Sequence, residues 1–108
     1  MNSYEHTFIT KQDIPEAQAK TLLNKYEEII KNNSGAVLKI EEWGLRNLSS
    51  MINNNKKGFY IHIKFDGIGK TVEELEKAEN IDQSLIRFLT VRVKKHDLET
   101  NFFEKKDI

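Results

Sequence analysis

The sharpest pattern in the chain runs from Phe59 to Phe65, where Phe59, Ile61, Ile63 and Phe65 alternate with Tyr60, His62 and Lys64. Period two predicts a β-strand with one side in the core and a mixed polar and aromatic side opposite. A first strand is expected over Ser3–Thr10, where Phe8 and Ile9 sit among β-branched residues. The spacing then changes to three-and-four at Ala19, Leu22, Leu23, Tyr26, Ile29 and Ile30, which predicts an amphipathic helix. Asp13-Ile14-Pro15-Glu16 supplies its start, with Asp13 as acceptor for the free N–H groups, and Asn32-Asn33-Ser34-Gly35 its stop.

A further strand is expected over Ala36–Trp43, continuing past a bend or bulge at Gly44 toward Leu48. Asn53–Gly58 reads as a polar hairpin loop leading into the alternating run. After the turn Asp66–Lys70, Thr71-Val72-Glu73-Glu74 has the form of a capping box. Val72, Leu75, Ala78 and Ile81 mark the buried stripe of this second helix, and Glu73, Glu74, Glu76, Lys77 and Glu79 its outer side. The last strand, Leu85–Lys94, is expected to bury Leu89, Val91 and Val93 and to expose Phe88, Thr90, Arg92 and Lys94.

The predicted order is β-α-β-β-α-β. Right-handed crossovers put both helices on one face of a four-stranded antiparallel sheet, an α+β, ferredoxin-like sandwich with its other face uncovered. Residues 1–95 form the expected domain and 96–108 a charged tail, in which Phe102-Phe103 can anchor the tail on a partner or back on the domain. With 108 residues, one core is all the chain can hold.

Composition narrows the function. Charged residues make up 31% and hydrophobic residues 38%, a soluble globular balance with no apolar run near the ~20 residues of a membrane span. The N-terminus lacks a signal peptide's basic and apolar regions, so cytoplasm, or an organelle interior, is the default. Absence of cysteine excludes disulfides, thiolate nucleophiles and thiolate metal sites. Net charge is zero, yet the charge is segregated. Trp43–Phe65 carries Arg46, Lys56, Lys57 and Lys64 and no acid; Ser84–His96 carries Arg87, Arg92, Lys94 and Lys95 and no acid; Asp66–Asp82 between them holds six acids against Lys70 and Lys77. Such runs are either solvated faces or a footprint for polyanions.

Catalytic chemistry finds no foothold. His6, His62 and His96 share no metal-binding spacing, and His6 reads as a tolerated sheet residue. Ser49-Ser50 has no nucleophile elbow around it. Gly67-Ile68-Gly69-Lys70-Thr71 lacks the four-residue spacer of a phosphate-binding loop, and a turn plus a helix cap accounts for it. Glu41 and Glu42, adjacent in a strand, point to opposite faces. No enzyme activity, cofactor or metal is expected. The uncovered face, by the expected registers, presents Tyr60, His62, Lys64, Phe88, Arg92 and Lys94. Rings beside cations suit RNA, and suit a protein-docking patch about equally.

Tyr4-Glu5, Glu41-Glu42-Trp43-Gly44-Leu45-Arg46-Asn47-Leu48 and Ile86-Arg87-Phe88-Leu89-Thr90-Val91-Arg92-Val93 resemble the bacterial small-subunit ribosomal protein S-six (S6) family. The resemblance extends from Met1 to about Lys95. It implies the ferredoxin-like fold and a structural role in the central domain (platform) of the small subunit. The partners it implies are small-subunit ribosomal RNA, ribosomal protein S-eighteen (S18) and other small-subunit proteins, with no membrane. By the same resemblance Arg46, Arg87 and Arg92 are the leading RNA contacts, followed by Lys56, Lys57 and Tyr4; from the uncovered face Lys94 joins them, and Tyr60, His62 and Phe88 are candidates for partner contact. Two departures stand out: Asn2-Ser3 replaces the family's basic start, and Leu48-Ser49-Ser50-Met51-Ile52 replaces Leu-Ala-Tyr-Pro-Ile.

Two other readings remain open on the residues alone. A free RNA-recognition module would use the sheet aromatics, although the dense aromatic signature of such modules is missing. A small regulatory or ligand-binding ferredoxin-like domain would dimerise through its sheet.

Overall fold

The structure, a computed structural model, describes residues 2–52 and 55–94. The middle of the expected hairpin loop, 53–54, and the charged tail 96–108 with Phe102-Phe103 lie outside the described residues, as do the ends of the expected domain at Met1 and Lys95.

Six elements follow in the expected order: β1 (Asn2–Thr10), α1 (Glu16–Asn32), β2 (Ala36–Ile52), β3 (Asn55–Gly67), α2 (Gly69–Asn80) and β4 (Leu85–Val93). The four strands form one antiparallel sheet in the order β2-β3-β1-β4, so each crossover helix passes over a central strand. Both helices cover the same face. This is the ferredoxin-like sandwich that the pattern predicted.

The helix-side core is built from alternate residues. Tyr4 and Phe8 of β1 and Ile61, Ile63 and Phe65 of β3 meet Ala19, Leu22, Leu23, Tyr26 and Ile30 of α1 and Leu75 of α2. Phe8 meets Tyr26 edge to face at 5.2 Å, and Tyr4 stacks on Phe65 at 5.4 Å. Tyr4, expected among the RNA contacts, is thus a core residue. Burial raises the pKa of Tyr26, and the hydrogen bond its hydroxyl donates to Asp82 Oδ2 at 2.9 Å raises it further.

Helix ends differ from the expected caps. α1 begins after Pro15 with no side-chain cap, and Asp13 is exposed. In α2 the N-cap position is Ile68, so Thr71 sits at the third helical position. Its hydroxyl accepts from the Ile68 N–H at 3.0 Å and donates to the Asn33 carbonyl at 2.5 Å, tying the start of α2 to the end of α1. A Cβ at Gly35 would meet Ile30 Cγ2 at 2.6 Å and Thr71 Cγ2 at 2.8 Å, so glycine is required by this close approach. The left-handed residue of the reversal is Ser34, with φ 65°.

β2 and β3 run further than expected. They make a long hairpin whose strands continue to Ile52 and resume at Asn55, so Lys56 and Lys57 are strand residues, not loop residues. Gly44 carries φ +79° where the β2–β3 register shifts, the expected bulge.

β4 faces the opposite way to the expectation. Phe88 lies across from Phe8 and Thr90 across from His6, both on the helix side, while Leu89 and Val91 are 60% and 48% exposed on the other face. The cause lies under α2. Glu79, expected on the solvent side, is fully enclosed and its Oε2 sits 2.7 Å from His6 Nε2, whose Nδ1 is 2.6 Å from Thr90 Oγ1. A polar residue at position 90 is therefore required on the inside. Burial raises the pKa of Glu79, with the contact to His6 opposing. Ile81, expected in the buried stripe, is 78% exposed.

Candidate nucleic-acid interface

The uncovered sheet face is not bare. β1 presents Glu5 and Thr7 there, β3 presents Tyr60, His62 and Lys64, and β2 lays Trp43 and Glu41 over them. Trp43 stacks on Tyr60 at 5.8 Å and on His62 at 5.7 Å, and its Nε1 donates to Glu41 Oε1 at 3.1 Å. His62 lies 2.7 Å from Thr7 Oγ1 and 3.1 Å from Glu5 Oε1, and Lys64 Nζ lies 3.6 Å from Glu41 Oε2. The face seals itself: Tyr60, His62, Lys64 and Glu41 are all buried. Burial lowers the pKa of His62, with Glu41 and Glu5 opposing and Lys64 reinforcing. Burial raises that of Tyr60, against the pull of Arg87.

This arrangement corrects the expected platform of exposed rings and cations. Tyr60 and His62 lie on the predicted face but are covered, Lys64 is neutralised by Glu41, and Phe88 is on the other side of the sheet, as is Arg92. Among the described residues, the strands of this face present no row of uncovered rings for stacking bases. What the outer face offers instead is Trp43, the exposed Leu89 and Val91, and Arg87.

The exposed basic residues of the sheet strands that were expected to contact RNA fall into two groups toward opposite ends of the sheet. At one end, Arg46 pairs across from Gly58 and Asn47 from Lys57, so Arg46, Lys56 and Lys57 share the far part of the β2–β3 hairpin. A Cβ at Gly58 would touch Ile9 Cγ2 at 2.5 Å, and Ile9 pairs with Arg87, so Arg87 belongs to this end as well. Gln12 Oε1 accepts from the N–H groups of Lys56 and Lys57 at 3.1 and 3.3 Å, fastening the hairpin to the β1–α1 connection. Nothing in the local pattern around Gln12 signalled that role. Arg46 Nε donates to the Trp43 carbonyl at 2.9 Å across the Gly44 bulge, which orients its guanidinium. At the other end, Arg92 donates to Asn2 Oδ1 at 2.8 Å, and Arg92 and Lys94 line a shallow depression with Asn2, Ser3 and Val93.

A model of the family described as ribosomal protein S6 matches residues 3–92. The chain is 50% identical over 107 residues to the small ribosomal subunit protein bS6 of Pelagibacter ubique, covering 99% of this chain and 88% of that one. It is 40% identical over 99 residues to bS6 of Parvibaculum lavamentivorans, covering 92% of this chain and 64% of that longer protein. This chain belongs to the ribosomal protein S6 family. The crystal structure of 30S ribosomal protein S6 from Thermotoga maritima superposes with a TM-score of 0.82 at 29% identity, over 85% of this chain and 87% of that one.

As an S6-family member the chain is a structural, non-enzymatic protein of the small ribosomal subunit of bacterial type, associated with ribosomal RNA and other small-subunit proteins in the cytoplasm. No helix among the described residues is long and apolar enough to cross a membrane.

Proposed function

We propose that the domain of residues 1–95 binds small-subunit (16S-type) ribosomal RNA in the central domain of the subunit, together with ribosomal protein S18. The observation that carries this reading is the exposed cationic end of the β2–β3 hairpin. Arg46, Lys56 and Lys57 lie on that hairpin and Arg87 toward the same end of the sheet on β4, with no acidic residue between positions 43 and 65. Phosphates of a folded RNA are the natural counter-charge for four cations on a rigid sheet end, and such contacts fix position and orientation. Gln12 fastens the backbone of Lys56 and Lys57 to the β1–α1 connection, and Arg46 is tied across the Gly44 bulge, which lowers the backbone ordering cost at binding. Arg92 and Lys94 make a second, smaller contact at the opposite end. Protein S18 is assigned to the outer face, where Trp43, Leu89 and Val91 supply apolar surface next to Arg87.

The test is equilibrium binding to a central-domain RNA fragment with S18 present, across a range of salt. Replacing Arg46, Lys56 and Lys57 together by Glu should lower affinity at least tenfold at about 0.1 M salt and flatten the salt dependence, since each phosphate contact contributes a slope of roughly 0.7–0.9. Unchanged affinity and slope would remove the hairpin from the interface. Omitting S18 should weaken the wild-type complex; equal affinity with and without it would remove S18 from the reading.

A further inference from the structure

Residues 11–15 join β1 to α1, and the first two of them are fastened on both sides. The Lys11 N–H donates to the carbonyl of Ser84, just before β4, at 2.9 Å, and the Lys11 carbonyl accepts from the Ile14 N–H at 3.2 Å. Ser84 is itself fixed, its N–H donating to Asp82 Oδ1 at 2.9 Å and its hydroxyl accepting from Gln18 Nε2 at 3.3 Å. On the other side Gln12 Oε1 holds the N–H groups of Lys56 and Lys57. Lys11-Gln12 therefore brackets the hairpin and the start of β4, the two segments that carry the basic residues of this end.

The strand order gives Lys11 its place. The sheet runs β2-β3-β1-β4, and at this end Arg46 belongs to β2, Lys56 and Lys57 to β3, and Arg87 to β4. β1, between β3 and β4, has no lysine or arginine, and Lys11 is the residue that follows its last. Ile9 pairs with Tyr60 on one side and Arg87 on the other. Two residues further on, Lys11 stands at the level of Gly58, whose partner on β2 is Arg46. With Lys11 included, every strand brings a cation to one end of the sheet, in a row about 14 Å wide at the usual strand spacing. Neighbouring strands are closer than the Debye length of about 10 Å at 0.1 M salt, so the fields of their cations overlap. Lys11 is half-buried, and among the described residues its ammonium has no acidic or hydrogen-bonding partner. Asp13 is the one acid of the connection.

We propose that Lys11-Gln12 is the middle of the RNA-binding end. Lys11 contacts a backbone phosphate between those met by the hairpin and by Arg87. Gln12 is a positioning residue: it touches no RNA and acts by holding the backbone of Lys56 and Lys57 beside Lys11. Without Lys11 the row is broken at β1, and without Gln12 the hairpin must be ordered at the moment of binding. The inference rests on the reading of the hairpin end as the RNA contact and adds to it two residues outside the hairpin.

The test uses the full-length protein, a central-domain RNA fragment and protein S18. Lys11→Gln should lower affinity about three- to tenfold at 0.1 M salt and reduce the salt slope by roughly 0.7–0.9, the share of one phosphate. Gln12→Ala should lower affinity several-fold with the salt slope unchanged, since the phosphates contacted stay the same. In the free protein, Gln12→Ala should also speed amide hydrogen exchange at Lys56 and Lys57 at least tenfold, leaving Phe8 and Ile63 in the central strands as they were. Gln12→Glu keeps an acceptor oxygen and should restore the slow exchange. Unchanged affinity and slope in Lys11→Gln, or unchanged exchange at Lys56 and Lys57 in Gln12→Ala, would overturn the inference. The joint replacement of Arg46, Lys56 and Lys57 by Glu separates the two failures. If that variant loses affinity while Lys11→Gln does not, this inference alone falls; if neither loses affinity, the reading beneath it falls as well.

Discussion

Lys64 and Glu41 lie almost completely enclosed on the outer face of the sheet with Nζ and Oε2 3.6 Å apart, and removing one of them isolates the other. At that distance and an effective dielectric of about 20, their attraction is about 5 kcal/mol, set against a desolvation cost of several kcal/mol per ion. The pair is therefore near break-even as a pair and costly to split. Glu41→Leu strands the Lys64 ammonium and takes the acceptor from Trp43 Nε1, so a loss of about 3–5 kcal/mol is expected. Lys64→Met leaves a buried carboxylate that still accepts from Trp43, and should cost somewhat less. The double replacement removes both charges and should return to within about 1.5 kcal/mol of the parent, giving a coupling of several kcal/mol in a double-mutant cycle. Urea unfolding followed by Trp43 fluorescence is the assay, because the single tryptophan stacks on the same cluster. Additive single effects below about 1 kcal/mol each would mean that water reaches the pair, and the claim that the outer face seals itself would fall.

Other outcomes follow from the same structure. The pKa of His62 is depressed in the folded protein, so the unfolded chain takes up a proton first as pH falls; stability is present above about pH 6.5 and declines below it. His62→Gln should flatten that decline in a pH series of unfolding curves, and an unchanged slope would contradict it. Glu79 has the opposite sign: its raised pKa favours the folded state at acid pH and the benefit is lost as pH rises through the folded value, so Glu79→Gln should reduce that loss. Thr71→Val breaks both bonds joining the helix ends and should cost about 2 kcal/mol by thermal or urea unfolding; a loss under 0.5, roughly, would show the link to be idle. Phe8→Ala opens the core against Tyr26 and should cost about 3–5 kcal/mol, while RNA affinity of the folded fraction stays unchanged.

What was legible in the sequence was whatever local periodicity determines. The alternation from Phe59 to Phe65 gave β3 with its correct inner side, the stripe from Ala19 to Ile30 gave α1, and Gly44 marked the bulge. The facing of β4 was not legible, because Leu89, Val91 and Val93 outrank Thr90 and Arg92 in hydrophobicity. The pairing that turns Thr90 inward is with His6, 84 residues away, beneath Glu79. The burial of Lys64 was hidden for the same reason: its partner Glu41 comes from another strand. Among the expected contacts, Arg46, Lys56, Lys57 and Arg87 are exposed toward one end of the sheet, while Tyr4 followed a motif match into the core. The long β2–β3 hairpin that brings the basic residues together was read too short, since its polar far end, Asn53–Lys57, carries no hydrophobic alternation.

The central claim is that the hairpin end, and not the helical face, lies against ribosomal RNA. Since the chain has no cysteine, a hydroxyl-radical-generating iron chelate can be tethered at one chosen site by Lys57→Cys or, on exposed α1, by Lys20→Cys, and each protein assembled into small subunits. Strong, localised cleavage of central-domain RNA from position 57 with little from position 20 is the predicted result. Cleavage from position 20 with none from position 57 would contradict the account.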